Sequence, residues 1–125
     1  MIRSIRLLNW RSHADTKLEF RSGTNLLVGI MGAGKSSILE AISFAFFGTF
    51  PALERRKARL EDLVRLNEAG SKISLIFDWG GCGYRIERTI ERSKKGTATT
   101  AELYKDHQLL EHGVSAVTAY LEGLT

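Results

Sequence analysis

Nine consecutive residues of this chain have the types and spacing to do chemistry on a polyphosphate: Gly29-Ile30-Met31-Gly32-Ala33-Gly34-Lys35-Ser36-Ser37. They follow the G-x-x-x-x-G-K-[ST] pattern of a phosphate-binding loop. Glycines admit positive φ and close approach, so successive backbone N–H groups can turn inward on an anion. A side chain at Gly32 or Gly34 would crowd that anion out. Lys35 is spaced to reach the β and γ phosphates, and the Ser36 hydroxyl to take one position on Mg²⁺. A helix opening here would add its positive end to the same anion.

Such a loop works only between a strand and a helix, and the flanks supply both. Asn25 to Val28, with Leu26, Leu27 and Val28, reads as a buried strand. Ile38, Leu39, Ala41, Ile42, Ala45 and Phe46 recur at spacings of three and four, which predicts one wide helical face. Gly48 and Pro51 are expected to end that helix.

The totals set bounds on the rest. The 125 residues amount to one domain or part of one, with 43% apolar and 26% charged residues, enough for a packed core. A single cysteine, Cys82, excludes an internal disulfide and fits a reducing compartment. Charge interrupts the N-terminus too early for a signal peptide, and no apolar run approaches the ~20 residues that span a bilayer. A cytoplasmic, nucleoid-associated protein with no membrane partner is expected. Net charge is +4 and the sequence pI about 9.5, compatible with an anionic partner. Much of the excess is local, in Arg55-Arg56-Lys57-Ala58-Arg59 and Arg92-Ser93-Lys94-Lys95. Solvated faces are the better explanation of such clusters, since charge runs alone say little. As nucleic-acid contacts, Arg55, Arg56, Lys57, Lys94 and Lys95 would meet backbone phosphates.

Taken in order, Ser4 to Trp10 and Thr16 to Phe20 alternate as a hairpin, with a polar turn over Arg11 to Asp15 and a second turn at Arg21-Ser22-Gly23. After Pro51 the pattern weakens, and Leu53 to Leu66 suits a short amphipathic helix. Ile73 to Trp79 and Tyr84 to Arg92 form a further hairpin across Gly80-Gly81-Cys82-Gly83. Tyr84, Ile86, Arg88 and Ile90 share one face of its second strand. Gly96 to Thr100 reads as a polar connection into a strand over Ala101 to Lys105, with a turn at Asp106-His107-Gln108. Val114, Val117, Leu121 and Leu124 mark a final helix, with Ser115 a candidate cap and Gly123 near its end. The expected fold is α/β, with a large antiparallel part around the phosphate-loop strand and helix.

Two parts of a hydrolytic site are hard to find. A phosphate loop needs a second carboxylate for Mg²⁺. Asp78 ends an apolar strand, but Gly80-Gly81 follows it as a hairpin turn and starts no crossover. His13, His107 and His112 are scattered in polar loops and read as surface histidines.

These absences and the residues around the loop carry a resemblance. Asn9-Trp10-Arg11-Ser12-His13, Phe20 to Gly29 and Gly34 to Ile42 resemble the start of the SMC-like ABC ATPases, and within them the archaeal double-strand-break-repair ATPases of the Rad-fifty type. The resemblance is specific around the loop and looser after Phe47. It implies a P-loop ATPase head built from two ends of a long chain separated by a coiled coil, with residues 1–125 as its N-terminal lobe. ATP and Mg²⁺ are the implied cofactors. The implied partners are the C-terminal half of the head, a second head in a homodimer, the break-repair nuclease and double-stranded DNA. By position, Arg11 matches an arginine that contacts nucleotide, Met31 through Ser37 match the phosphate cradle, and Val64-Arg65-Leu66 match a loop lying against the base. Relatives usually carry asparagine where this chain has Met31, and a thioether cannot donate a hydrogen bond as an amide can.

Two other readings stay open at this point. One is a free-standing P-loop kinase or GTPase using Asp78. The other is a non-hydrolytic DNA-binding module resting on the basic clusters. The half-head reading further predicts exposed apolar surface, meant for the missing lobe.

Overall fold

The computed structural model describes residues 2–11, 13–20, 33–49, 53, 55, 59–65 and 67–124, the side chains of residues 33–37 and 61 excepted. The expected strand Asn25–Val28, the turn before it, the loop residues Gly29 to Gly32 and Pro51 lie outside the described residues. The elements run β1 (Ile2–Trp10), β2 (His13–Glu19), α1 (Ala33–Phe47), a 3-10 turn (Leu60–Leu63), β3 (Gly70–Trp79), β4 (Cys82–Ser93), β5 (Gly96–Lys105), β6 (Gln108–His112) and α2 (Val114–Gly123). Among the described residues the strands make one sheet in the order β2-β1-β3-β4-β5-β6, antiparallel at every pairing.

Period-two alternation gives this sheet one apolar face. Ile5 and Leu7 of β1, Ile73, Leu75 and Phe77 of β3, Tyr84, Ile86 and Ile90 of β4, and Ala101 and Leu103 of β5 are buried together. Against them pack Ile38, Ala41, Phe44 and Ala45 of α1, and Val117 and Leu121 of α2. The result is a layer of helices on a layer of sheet. The opposite face is laced with charge pairs: Lys72 with Glu87 at 3.5 Å, Arg85 with Glu87 at 3.4 Å and Arg6 with Asp15 at 2.9 Å.

Several boundaries differ from the sequence expectations. β2 begins at His13, which pairs with Trp10, so the expected polar turn over Arg11 to Asp15 shrinks to two residues. Arg11 at φ 51 makes so tight a reversal possible, and Asp15 uses its polarity on the outer face against Arg6. Gly96 to Thr100 is no connection but the first half of β5, paired from Ser93–Gly96 through Thr89–Thr100. Threonines suit a half-buried ladder as well as apolar residues do. In the helix, Leu39 is 43% exposed, while Phe44, absent from the expected face, is buried. In the stretch Leu53 to Leu66, expected as a helix, the described residues include a helical Leu53, a 3-10 turn at Leu60–Leu63 and a bridge from Val64 to Trp10, so its second half is not a continuous α-helix. α2 is preceded by Gly113 at φ 101 with no side-chain cap, so Ser115 lies inside the helix and does not cap it. Gly48 ends α1 as expected: at φ 71 it turns its N–H back to the Phe44 carbonyl at 2.8 Å.

Candidate functional site

α1 starts inside the phosphate-loop motif. Ala33, Gly34, Lys35, Ser36 and Ser37 form its first turn and a half, where four backbone N–H groups have no intrahelical acceptor. No acidic residue stands in that turn to repel an anion. Met31 and Gly32, the start of the cradle, lie outside the described residues. Ser36 lies in the first turn of this helix. No cluster of three or more His, Cys, Asp or Glu among the described residues could hold a metal by itself.

Arg11 is brought to this helix from the end of β1. Its Nη1 pairs with Glu40 Oε1 of α1 at 2.9 Å, both side chains being partly buried. A guanidinium has five N–H donors, more than one carboxylate can use. The backbone around Arg11 is braced twice: Arg11 N donates to the Leu63 carbonyl at 2.8 Å, and Arg65 N donates to the Asn9 carbonyl at 2.7 Å. Between these bonds, Trp10 bridges to Val64 and packs on Phe44 of α1, ring centroids 5.6 Å apart. Arg11, Val64 and Arg65, far apart in sequence, therefore sit together beside α1. Leu66 lies outside the described residues.

The basic clusters divide. Lys94 and Lys95 form the exposed two-residue turn between β4 and β5. That turn is at the Arg65 end of the sheet, because the neighbouring Arg92 donates through Nη2 to the carbonyls of Arg65 and Glu68, and through its backbone N to the Ala69 carbonyl. Arg55 is exposed, and Arg56 and Lys57 lie outside the described residues.

Asp78 is in the wrong place for a metal ligand at Ser36. It pairs with Gly83 at the turn end of the β3–β4 hairpin and makes an ion pair with Arg3. Its neighbour Phe77 packs on Phe46, at the C-terminal end of α1, 5.1 Å between centroids. Ser36 and Phe46 are ten residues apart in that helix, or about 15 Å at ~1.5 Å per residue. His13 opens β2 and His112 ends β6, so neither lies in a loop as expected; His13 Nδ1 is 3.0 Å from Thr16 Oγ1, and Cys82 is half-buried in its hairpin. A cavity of about 280 Å³ on the outer face, between Arg85, Tyr104, Asp106 and His107, is lined by none of the candidate residues.

Two residues of the site's surroundings had no assigned role from sequence. Glu40, which holds Arg11, has only its position on the helix face turned towards β1 to betray it. Arg88 was placed on the apolar face by alternation, and it is 2% exposed there. A cation on a buried stripe was the available signal.

Comparison with known proteins follows the same lines. Residues 4–116 match the AAA domain family. The chain is similar to the DNA double-strand break repair Rad50 ATPase of Thermoplasma volcanium, 41% identical over 122 residues that cover 98% of this chain and 13% of that protein. It is also similar to the one of Archaeoglobus fulgidus, 48% identical over 88 residues, 70% of this chain and 10% of that protein. The chain thus spans a small part of the length of these relatives. Among solved structures it is similar to the recombination mediator protein RecF-ATPrS in the RecFOR pathway, with TM-score 0.65 and 25% identity over 89% of this chain and 28% of that one. An SMC head domain from Thermotoga maritima shares the fold at TM-score 0.54, covering 88% of this chain and 38% of that one.

Proposed function

The chain belongs to the AAA domain family, and we propose from that premise that residues 1–125 are the N-terminal, ATP-binding lobe of a DNA double-strand-break-repair ATPase head. The observation that carries this reading is the meeting of Arg11 and the phosphate-loop helix. α1 opens within G-x-x-x-x-G-K-S, and Glu40 of the same helix holds the Arg11 guanidinium. A triphosphate at this end would meet free amides, the Lys35 ammonium and Arg11, with Val64, Arg65 and Leu66 flanking the base. Ser36 would hold Mg²⁺, which neutralises phosphate charge when bound.

Hydrolysis requires more than this lobe. Asp78, the acid considered from sequence, lies towards the other end of α1. The missing acids belong to the C-terminal half of the head, and a second head completes each nucleotide site. ATP-driven closure of two such heads would regulate DNA binding and the partner nuclease, in the cytoplasm at the nucleoid. Among the described residues no helix is long and apolar enough to cross a membrane.

The test is binding of Mg²⁺-ATP to this chain, measured by fluorescence of a labelled analogue, against Lys35→Ala. Removing one charge-assisted contact to phosphate is expected to weaken binding at least about tenfold. Equal affinity would count against the site. Turnover by the chain alone is expected to be absent, and rapid turnover would overturn the half-head assignment. In assembled heads, Lys94→Ala and Lys95→Ala should each lower the salt slope of DNA binding by about one unit.

A further inference from the structure

α1 has a second end, and it is held in an unusual way. The last carbonyls of a helix lack intrahelical donors and carry its negative partial charge. Here a side chain rising from the sheet satisfies them. Arg88, in the middle of β4, donates through Nε to the Ala45 carbonyl at 2.7 Å and through Nη2 to the Phe46 carbonyl at 3.5 Å. The same Nη2 donates to Thr118 Oγ1 of α2 at 3.1 Å. Its cross-strand neighbours are Ile73 and Ala101, both fully or nearly fully buried, and no described carboxylate pairs with it.

From this geometry we infer that Arg88 is a positioning residue for the phosphate site: it fixes the axial setting of α1 from below and ties that setting to α2. The inference rests on the ATP-binding reading above. A helix is stiff along its axis, so a displacement at Ala45–Phe46 is carried to Lys35 and Ser36, where sub-ångström placement of amides decides how well a triphosphate is held. The guanidinium suits the task because its fork is planar and pre-organised, whereas an ammonium offers a single point of attachment. Gly48 belongs to the same device. A Cβ there would lie 3.2 Å from Arg88 Nη1, so the residue that turns the chain out of α1 also leaves room for the cation. Burial has a cost for the charge, lowering the Arg88 pKa to about 10.

The experiment compares Mg²⁺-ATP affinity of the chain with Lys35→Ala, Arg88→Lys and Thr118→Val, at a temperature where circular dichroism shows each folded. Arg88→Lys keeps the charge and loses the fork. It is expected to bind ATP about tenfold more weakly, the size of one lost charged hydrogen bond. Thr118→Val, of the same shape, cuts only the link to α2 and should weaken binding about threefold. If Arg88 merely supports the core, melting temperature falls while the affinity of folded protein stays at the wild-type value, and that outcome overturns the inference. If Arg88→Lys does not fold, Thr118→Val decides by the same comparison. Affinity that falls with Lys35→Ala but with neither other variant rejects the positioning role and leaves the phosphate site standing. Affinity indifferent to Lys35→Ala rejects the site, and the role of Arg88 with it.

Discussion

A tryptophan with no exposed surface stands at the end of β1, and three features of the candidate site touch it or its neighbours. Asn9, at φ 54, interrupts the pleat, so Trp10 turns onto the same buried side as Ile5 and Leu7 instead of the opposite one. Trp10→Ala would leave a cavity between Phe44 and Val64, with an expected loss of about 3–5 kcal/mol in urea unfolding. Strict alternation along β1 would put this ring on the other face, and nothing local announces a left-handed asparagine. Tyr84 provides a pH prediction. A hydrogen bond with Tyr120, helped by burial, pushes its pKa up from 10.0 to about 12, and Cys82, Asp106 and the Lys105 ammonium are its other charged or titratable neighbours. In the window between those values the unfolded chain has released this proton and the folded chain has not. Stability from this group is therefore complete below pH 10 and lost as pH rises towards 12. Tyr84→Phe should flatten that decline in denaturation midpoints, and an equal decline in the variant would reject the assignment. At the loop itself, Met31→Asn restores an amide donor. It is expected to leave ATP bound and to change turnover of a completed head. No change in either affinity or turnover would remove any special role for the thioether.

Among the elements, the hairpins were the most legible, since each needs only a period-two run and a turn residue. Gly80 and Gly81 at φ 58 and 80 join β3 to β4 in two residues, with Trp79 opposite Cys82. Both angles suit the turn type that favours Asn-Gly. Gly80→Asn should therefore leave the urea midpoint within about 0.5 kcal/mol of wild type, whereas Gly81→Val, a β-branched residue at positive φ, should cost about 1–2 kcal/mol. A neutral Gly81→Val would mean that the turn is reshaped at no cost. The β4–β5 turn was harder to see. Lys94 and Lys95 are not glycines, and the threonines after them pair as a strand only because Thr89 and Thr100 meet across the ladder. In α1 the two ends have different legibility. Its start is written in glycine, lysine and serine spacing, but its far end is closed by Arg88, 43 residues away from Ala45 in sequence.

Across the whole molecule, apolar residues remain uncovered where α1, α2 and the β3 end converge. Phe47 and Trp79 are 47% and 48% exposed beside Ile2, Phe46, Phe77, Leu121 and Leu124, around a cavity of about 190 Å³. Exposed apolar surface of this kind was expected of half a head. Phe47→Ser with Trp79→Ser should reduce concentration-dependent association, read by sedimentation, while moving the melting temperature by only a few degrees, since half-exposed side chains contribute less to the core. Unchanged association would locate the sticky surface elsewhere. The amino-acid order by itself determined the phosphate-loop pattern, the helix that follows it and the antiparallel character of most strands, because each depends on backbone chemistry within a few residues. Tertiary structure alone decided that Glu40 holds Arg11 across 29 residues, that Trp10 and Val64 wedge against α1, and that Arg88 joins α1 to Thr118 of α2. Such meetings follow from how the sheet twists and where the helices come to rest on it, which no short stretch of sequence encodes.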